Sequence, residues 1–299
     1  MFFKKTLSAI ALAVFALAAT VASSPVSSVP SASEKPALFG RYNDFKCKPS
    51  SSKPNPIILL HGLGGNPGEF SYMGPRFALK GYCAFSLNYG RLPGTDHIPG
   101  ISFLGGLNDL MVSAKELSDF VDKVLAVTGA SKVDLVGHSE GSTLPRVYLK
   151  YFAGRAKVDH FTAIGSNQYG TTLANIVTIL ETANLFGATK GVFNPACKAC
   201  YQLTVGAPFL NELNEGGDTY PEVKYLMLVS KYDELVTPYT NGFLRTLGPN
   251  VHNVELQQLC QRDLSEHLAQ STDPIAFNAI EYFLRTNSVT EDGCWAYFL

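Results

Sequence analysis

The sequence predicts an α/β fold in which a mostly parallel central sheet carries helices on both faces. Short apolar runs alternate with longer stretches of helical potential, and one of those stretches repeats its apolar residues at helical spacing. The composition, with 46% hydrophobic and only 16% charged residues, indicates a globular chain rather than a disordered one. A chain of 299 residues can bury roughly 75% of the surface that its unfolded form exposes. We therefore expect one large domain that needs no metal ion to fold.

Six apolar runs have the length of buried strands. They are residues 57–60, 83–87, 133–136, 161–164, 225–229 and 254–259. The stretches between them are long enough for helices, which are the usual crossover between parallel strands. This alternation predicts a mostly parallel sheet.

The helix with the clearest pattern covers residues 108–127. Its apolar residues recur at spacings of three and four, and charged residues take the other face. Residues 143–152 and 274–284 are predicted helices as well. An amphipathic helix such as 108–127 is expected to pack on the sheet.

Residues 1–22 have the features of a signal peptide. Lys4 and Lys5 form a charged start, residues 7–19 are apolar, and small residues such as Ala22 suit cleavage. The apolar run is shorter than the about 20 residues that a membrane span needs. We therefore expect a secreted, extracellular protein without a transmembrane anchor.

Residues 23–36 are rich in Ser and Pro and have little to bury, which predicts a flexible leader. The folded domain is expected to cover residues 37–299, because no repeat and no second linker interrupts it. The chain has 24 basic and 25 acidic residues, a formal net charge of −1 and no long basic run. Nucleic acid is therefore not an expected partner.

An even number of cysteines in a secreted chain favours disulfides over free thiols. The cysteines are Cys47, Cys83, Cys197, Cys200, Cys260 and Cys294. Cys197 and Cys200 are expected to form a local staple, since no second ligand pair completes a zinc site. The pairing of the others stays open. The simplest hypothesis joins Cys47 to Cys83 and Cys260 to Cys294, each closing a loop for roughly 3 to 4 kcal/mol.

The motif GHSEG at residues 137–141 follows one predicted strand directly and precedes a predicted helix. That context is typical of a nucleophile elbow, where the chain turns sharply from strand to helix and exposes a serine hydroxyl at the edge of the sheet. The glycines two residues either side of the serine leave room for crowded backbone. We predict that Ser139 is a catalytic nucleophile; an ordinary Gly-Ser turn is the alternative that this context disfavours.

A glycine-rich loop, HGLGG at residues 61–65, follows the first predicted strand. Esterases bind the oxyanion of their tetrahedral intermediate with backbone amides of such a loop. A phosphate-binding loop is the alternative, but the Gly-Lys-Ser/Thr and GxGxxG patterns are absent. We predict that the oxyanion donors are the backbone amides of Leu63 and Glu140.

A serine hydroxyl needs a base to become nucleophilic near neutral pH. Asp233 follows a predicted strand at the sheet edge where catalytic loops cluster, and Glu234 is its nearest rival. Beyond these acids only two histidines occur, and His252 lies just before the predicted last strand. His267 is therefore the predicted base. The order Ser139, Asp233, His267 is that of the α/β-hydrolase fold.

These residues resemble the class 2 lipases, a group of secreted microbial α/β-hydrolases. The resemblance covers most of the mature domain and is carried by residues 133–141, 145–146, 148–151, 167–171, 233–236 and 264–267. It implies hydrolysis of lipid esters, as by a triacylglycerol lipase, through an acyl-enzyme on Ser139. It implies neither a cofactor nor a metal ion.

Two positions depart from the family's pattern. Glu140 stands where the family more often has an uncharged residue, and Ser142 replaces a common glycine. A carboxylate beside the oxyanion hole could raise the pKa of the catalytic histidine. We expect the Glu140 side chain to point away, because only its backbone amide is needed.

The expected partner is a lipid or ester substrate, which a lipid–water interface could present. Residues 171–193 could form a lid or an acyl-chain wall, with a core-packed helix as the equal alternative, and residues 97–107 could rim the pocket. A short-chain carboxylesterase or polyester hydrolase would use the same three residues. A noncatalytic binding protein on this fold is a third hypothesis, which the presence of all three residues in order disfavours.

Overall fold

The computed structural model describes residues 42–95, 102–172, 197–289 and 294. The predicted signal peptide and leader, at residues 1–22 and 23–36, lie outside these residues. All described residues belong to one compact unit.

Six strands in the described chain form one sheet with the order β2-β1-β3-β4-β5-β6, and every neighbouring pair is parallel. The strands are β1 (Ile57–Leu60), β2 (Ala84–Ser86), β3 (Val133–His138), β4 (Val158–Ile164), β5 (Lys224–Val229) and β6 (Val251–Glu255). The chain runs outward from β1 to β2 and then returns to the other side of β1 to start β3. This reversal creates a crevice at the carboxyl ends of β1 and β3, where ligands bind in open α/β sheets.

Helices cover the sheet on both faces. They are α1 (Met73–Leu79), α2 (Leu110–Thr128), α3 (Glu140–Tyr151), α4 (Lys198–Gln202), α5 (Pro208–Asn214), α6 (Leu256–Leu259) and α7 (Pro274–Thr286). Single 3₁₀ turns occur at Pro67–Phe70, Gly154–Ala156, Tyr239–Gly242 and Ala269–Thr272.

The first strand shows why both faces need cover. Ile58 and Leu60 belong to a core that includes residues of α2 and α3, whereas Ile57 and Leu59 belong to a second core with α1 and α7. Successive side chains of a strand point to opposite faces, so an uninterrupted apolar run is stable only between two apolar layers. The continuous run IILL therefore predicts a strand at the centre of a covered sheet, which is where it lies.

The periodic helix predicted at residues 108–127 forms as α2, shifted by two residues at its start. Asp109 caps it, because the Asp109 carboxylate accepts a hydrogen bond from the Met111 amide at 2.8 Å. At its end Gly129 adopts a left-handed conformation with φ 78°. Side-chain capping and a glycine stop thus decide the helix bounds, which periodicity leaves open.

The last predicted strand, residues 254–259, is wrong beyond Glu255. Leu256–Leu259 is the short helix α6. The Glu255 and Gln258 side chains form a capping box that starts this helix, with the Glu255 amide donating to Gln258 Oε1 at 3.2 Å. His252 consequently lies inside β6 rather than before it.

All three disulfides of the simplest hypothesis form: Cys47–Cys83, Cys197–Cys200 and Cys260–Cys294. The first ties the segment before β1 to the start of β2, and the last ties the residue after α6 to the C-terminal region. Within the described ranges, none of the helices combines the length and apolar character that crossing a membrane requires.

Candidate active site

Ser139 stands at a sharp turn between β3 and α3, with φ 55° and ψ −119°. A left-handed backbone is costly for a residue with a side chain, and such strain is typical of functional sites. The turn is crowded: a Cβ on Gly137 would lie 1.8 Å from the Gly141 carbonyl oxygen, and one on Gly141 would lie 2.1 Å from that of Leu60. Both glycines are therefore required by close backbone approach. The turn has the geometry expected of a nucleophile elbow.

The structure brings Ser139, Asp233 and His267 together although they are far apart in the sequence. His267 Nε2 lies 2.9 Å from Ser139 Oγ, and His267 Nδ1 lies 2.7 Å from Asp233 Oδ2. The side chains of His267 and Asp233 are 3% and 2% exposed. The arrangement lets the imidazole accept the hydroxyl proton while the carboxylate orients the ring.

Asp233 is held as a carboxylate by several donors. Its Oδ1 accepts from the amides of Leu235 at 3.0 Å and Val236 at 2.7 Å, and its Oδ2 accepts from Gln270 Nε2 at 3.0 Å. Burial raises the pKa of Asp233, but the hydrogen bond and charge of His267 and the Val236 amide outweigh it, so the net shift is downward. Asp233 is therefore ionised at neutral pH and can stabilise an imidazolium.

Glu234, the rival acid, takes a different position. Its Oε2 accepts the backbone N–H of His267 at 3.1 Å. It contacts the peptide of the histidine, whereas Asp233 contacts the ring. Of the two neighbouring acids, Asp233 thus has the geometry of the orienting carboxylate.

The two predicted oxyanion donors sit on either side of the crevice. Glu140 is the first residue of α3, a position whose amide has no intrahelical acceptor. No described residue accepts a hydrogen bond from the Leu63 amide. The positive end of the α3 dipole also favours negative charge at this point. Both amides are thus available to a developing oxyanion.

A pair of titratable residues that the sequence motifs do not identify, Glu69 and His138, lies beside this loop. Both carboxylate oxygens of Glu69 accept the Gly62 amide, at 3.2 and 3.0 Å. Glu69 Oε1 also lies 2.6 Å from His138 Nδ1, and His138 Nε2 lies 3.0 Å from the carbonyl oxygen of His267. Their only sequence signal is proximity to the motifs, since Glu69 follows the glycine-rich loop and His138 precedes Ser139.

The expectation that the Glu140 side chain points away is wrong, because this side chain turns into the protein and is completely buried. Neither of its carboxyl oxygens has a hydrogen-bond partner among the described residues. A Cβ on Gly106 would lie 2.7 Å from Glu140 Oε2, which places the carboxyl beneath the loop at residues 102–107. Burial, followed by the charge of Glu69, raises the pKa of Glu140 well above its ordinary value. Glu140 therefore keeps its proton to a higher pH than a solvent-exposed glutamate, which its residue type does not indicate.

Ser142, the other departure from the family's pattern, stabilises the turn. Its hydroxyl donates to the Ser139 carbonyl oxygen at 2.5 Å and accepts the Asn167 amide at 2.9 Å. Gln168 Nε2 in turn donates to the Ser142 carbonyl oxygen at 2.9 Å. A glycine at this position could not connect the elbow to the segment after β4 by a side chain.

Both candidate lid segments lie partly outside the described residues, at 173–193 in one and 97–101 in the other. The described part of the second packs on the glycine-rich loop, because the Gly105 amide donates to the Gly65 carbonyl oxygen at 2.8 Å. Several large apolar side chains on the loops around the site are exposed. They are Leu63 (37%), Phe103 (40%), Leu264 (67%) and Leu268 (43%).

Comparison with known families gives one match that covers most of the chain. The family model of the class 2 lipases matches residues 54–275. This range runs from the start of β1 to the start of α7 and contains every residue of the candidate site.

Curated relatives match a shorter stretch. A triacylglycerol lipase of Pseudarthrobacter phenanthrenivorans is 30% identical over 128 residues, which are 42% of this chain and 38% of that protein. A triacylglycerol lipase of Burkholderia plantarii is also 30% identical over 128 residues, 42% of this chain and 34% of that protein. The matched region is thus little more than a third of either relative.

Solved structures match the fold over most of the chain. Lipase B of Aspergillus fumigatus matches with a TM-score of 0.59 and 21% identity, over 87% of this chain and 57% of that one. The mature lipase BlEst2 of Bacillus licheniformis matches with a TM-score of 0.57 and 19% identity, over 79% of this chain and 94% of that one. The predicted α/β-hydrolase fold is thereby confirmed.

Proposed function

The chain belongs to the class 2 lipase family, and from that membership we propose that it is a secreted serine hydrolase that cleaves carboxylic esters of lipids. One observation carries the proposal: the continuous hydrogen-bond chain from Ser139 Oγ through His267 to Asp233. In this proposal Ser139 is the nucleophile, His267 the base and Asp233 the orienting acid.

The first half of the reaction transfers the acyl group to the enzyme. Ser139 Oγ attacks the ester carbonyl carbon while His267 Nε2 takes the hydroxyl proton. The carbonyl oxygen becomes an oxyanion that accepts hydrogen bonds from the amides of Leu63 and Glu140, and one such donor typically contributes about 3 to 4 kcal/mol to transition-state stabilisation. The bond to the leaving alkoxide then breaks, and His267 gives the proton to the departing alcohol.

The second half of the reaction releases the acid. Water takes the place of the alcohol, and His267 Nε2 accepts one of its protons as the water oxygen attacks the acyl carbon. Collapse of this intermediate breaks the bond to Ser139 Oγ, which regains a proton from His267. The enzyme returns to its initial state with a fatty acid and an alcohol as products.

Two observations support a lipid substrate and an extracellular location. The exposed apolar side chains of Leu63, Leu264 and Leu268 lie on the loops that carry the proposed oxyanion donor and base, and apolar exposure of this kind suits contact with acyl chains. The three disulfides suit an oxidising compartment.

The test is hydrolysis of p-nitrophenyl acetate, butyrate and palmitate and of an emulsified triglyceride by the purified protein and by Ser139→Ala. We expect the protein to cleave palmitate and emulsion, and Ser139→Ala to lose about 10⁴-fold or more in kcat, because the nucleophile is removed. Cleavage of acetate and butyrate alone would assign a short-chain esterase instead. Equal rates for both proteins would overturn the proposed role of Ser139.

A further inference from the structure

A chain of hydrogen bonds behind the candidate site joins the glycine-rich loop to the backbone of His267. It runs from the Gly62 amide to the Glu69 carboxylate, from Glu69 Oε1 to His138 Nδ1 over 2.6 Å, and from His138 Nε2 to the His267 carbonyl oxygen over 3.0 Å. We call this chain the Glu69–His138 bridge. None of its groups takes part in the proton transfers of the proposed reaction.

The partners of the bridge define the protonation of His138. A carbonyl oxygen can only accept, so His138 Nε2 carries a proton. Glu69 accepts from the Gly62 amide with both oxygens, and the charge of His138 lowers the pKa of Glu69 although burial alone would raise it. Burial lowers the pKa of His138, but the charge and hydrogen bond of Glu69 outweigh burial, so the net shift is upward. The bridge is therefore an imidazolium–carboxylate pair with side chains 2% and 19% exposed.

Other titratable groups surround the bridge without replacing its contacts. Burial lowers the pKa of the His61 ring, which faces Glu69 and keeps its own hydrogen bonds to the Gly62 carbonyl oxygen and Asn88 Oδ1. The buried Glu140 carboxyl also faces Glu69. The His138 ring lies beside that of His267, with centroids 4.8 Å apart.

Each residue that the bridge connects either is a proposed catalytic residue or directly precedes one in the sequence. Gly62 precedes Leu63, His138 precedes Ser139, and the third contact is on His267 itself. The packing leaves little slack, since a Cβ on Gly65 would lie 2.7 Å from Glu69 Oε2 and one on Gly165 would lie 3.1 Å from His138 Nε2. A shift of either side chain would therefore move the loop relative to the histidine.

We propose that Glu69 and His138 are positioning residues that hold the oxyanion loop at a set distance from His267. This inference rests on the proposed function, because it concerns the geometry of that reaction. A misplacement of about 1 Å at a reacting group can cost about 100-fold in rate. Removing one partner of a buried ion pair leaves the other charge uncompensated, so the alanine variants should lose stability as well. The kcat values are therefore compared below the melting temperature of each variant.

The test compares Glu69→Ala, Glu69→Gln, His138→Ala and the double alanine variant, with p-nitrophenyl butyrate as substrate. We expect Glu69→Ala to lower kcat about 100-fold with KM within about twofold, since the loop loses its anchor but the acyl pocket is unchanged. Glu69→Gln should recover kcat to within about fivefold of the unaltered protein. Its amide can still accept from Gly62 and donate to a neutral His138, whose Nε2–H still reaches His267.

The double variant tests whether the two residues act as one unit. We expect it to lose no more than about threefold beyond either single alanine variant, because breaking the bridge once removes its effect. Additive losses would overturn the proposal, as would a Glu69→Ala protein that is folded and keeps its kcat.

The chain offers a matched control at the opposite end of the same strand. Asp134 near the start of β3 pairs with His160, whose Nδ1 lies 2.8 Å from Asp134 Oδ1. Both side chains are almost fully buried, at 4% and 5% exposure. Asp134→Asn should lower the melting temperature without changing kcat below it. Equal loss of kcat in Asp134→Asn and Glu69→Ala would show a merely structural effect and overturn the proposal.

Two further measurements separate failure of the bridge from failure of the proposed function. Ser139→Ala with unchanged activity would contradict the proposed function whatever the Glu69 variants do. Nitrogen NMR of ¹⁵N-histidine-labelled protein reports the bridge without any activity. We expect His138 to show protons on both ring nitrogens in the unaltered protein and on Nε2 alone in Glu69→Gln. A singly protonated His138 in the unaltered protein would contradict the ion pair.

Discussion

At the scale of single residues, two adjacent acids with the same charge have different contacts. Asp233 Oδ2 contacts the His267 ring, and Glu234 Oε2 contacts the His267 backbone amide. The carboxylate on the ring can stabilise the imidazolium and its tautomer, whereas the carboxylate on the amide only helps to place the loop. Replacing Asp233 and replacing Glu234 should therefore lower kcat by different factors.

We predict that Asp233→Asn lowers kcat for ester hydrolysis by about 10⁴-fold, because an amide at this position favours the wrong tautomer of the histidine. Glu234→Gln should stay within about tenfold, since its amide oxygen can still accept from His267. Steady-state kinetics of the two variants at the same pH provide the measurement. Similar losses of kcat in both variants, or a larger loss in Glu234→Gln, would show that Asp233 is not the orienting residue.

Glu140 is the residue whose ionisation differs most from what its type suggests. Its carboxyl is buried without a hydrogen-bond partner among the described residues, and burial followed by the charge of Glu69 raises its pKa in the folded state. In the unfolded chain it ionises above its ordinary pKa of 4.5. The unfolded state therefore releases a proton that the folded state keeps, and this group lowers the stability as the pH rises.

We predict that the stability of Glu140→Gln relative to the unaltered protein increases progressively as the pH rises above 4.5, because glutamine cannot ionise in the unfolded state. The melting temperatures of both proteins across this range give the result. Activity should be retained to within about threefold, since the proposed oxyanion donor is the backbone amide. A difference in melting temperature that does not change with pH would contradict a protonated Glu140.

At the scale of elements, two buried acids flank the segment that carries His267. Asp263 precedes it and Asp273 follows it as the N-cap of α7, and they are 0% and 3% exposed. Burial, followed by the charge of Asp263, raises the pKa of Asp273 from 3.8 to about 7. Asp273 therefore keeps its proton in the folded chain up to about that pH.

The sign of the pH dependence follows from this shift. The unfolded chain loses the Asp273 proton above its ordinary pKa of 3.8, whereas the folded chain keeps it to about 7. The contribution of the pair is therefore complete at low pH and decreases as the pH rises through this window.

We predict that the unfolding free energy of the protein falls by on the order of 2 kcal/mol between about pH 5 and pH 8 because of this pair. Asp263→Asn should reduce the fall, since it removes the negative charge that raises the pKa of Asp273, while its oxygen can still accept the Ser265 amide. Urea unfolding at the two ends of this pH range measures the change in unfolding free energy. Asp119→Asn, at an exposed carboxylate on α2, is the control and should leave the pH dependence unchanged. An Asp263→Asn variant with the original pH dependence would contradict the role of Asp263 in raising the pKa of Asp273.

At the scale of the whole molecule, the sheet order places the candidate site. The chain reverses direction across the sheet between β1 and β3, so the loop after β1 and the turn after β3 face each other at the carboxyl edge. Asp233 follows β5 on the same edge. Since all strands are parallel, every loop after a strand contributes to one side of the molecule. Residues far apart in the sequence therefore meet in one crevice.

Much of this architecture could be predicted from local pattern. All six apolar runs overlap strands of the expected order, and residues 108–127 form a helix with small shifts. The sixth run overlaps its strand only at residues 254–255, because the capping box at Glu255 starts a helix over the rest of the run. A side-chain cap depends on one or two atoms, so hydrophobic periodicity cannot locate it.

The candidate site divides in the same way. The GHSEG turn, the glycine-rich loop and the order Ser139, Asp233, His267 are readable along the chain, because each depends on neighbours in sequence. The Glu69–His138 bridge, the protonated Glu140 and the different contacts of Asp233 and Glu234 are not. They depend on burial and on contacts between distant segments, which set the pKa values and hydrogen-bond partners only after the chain has folded.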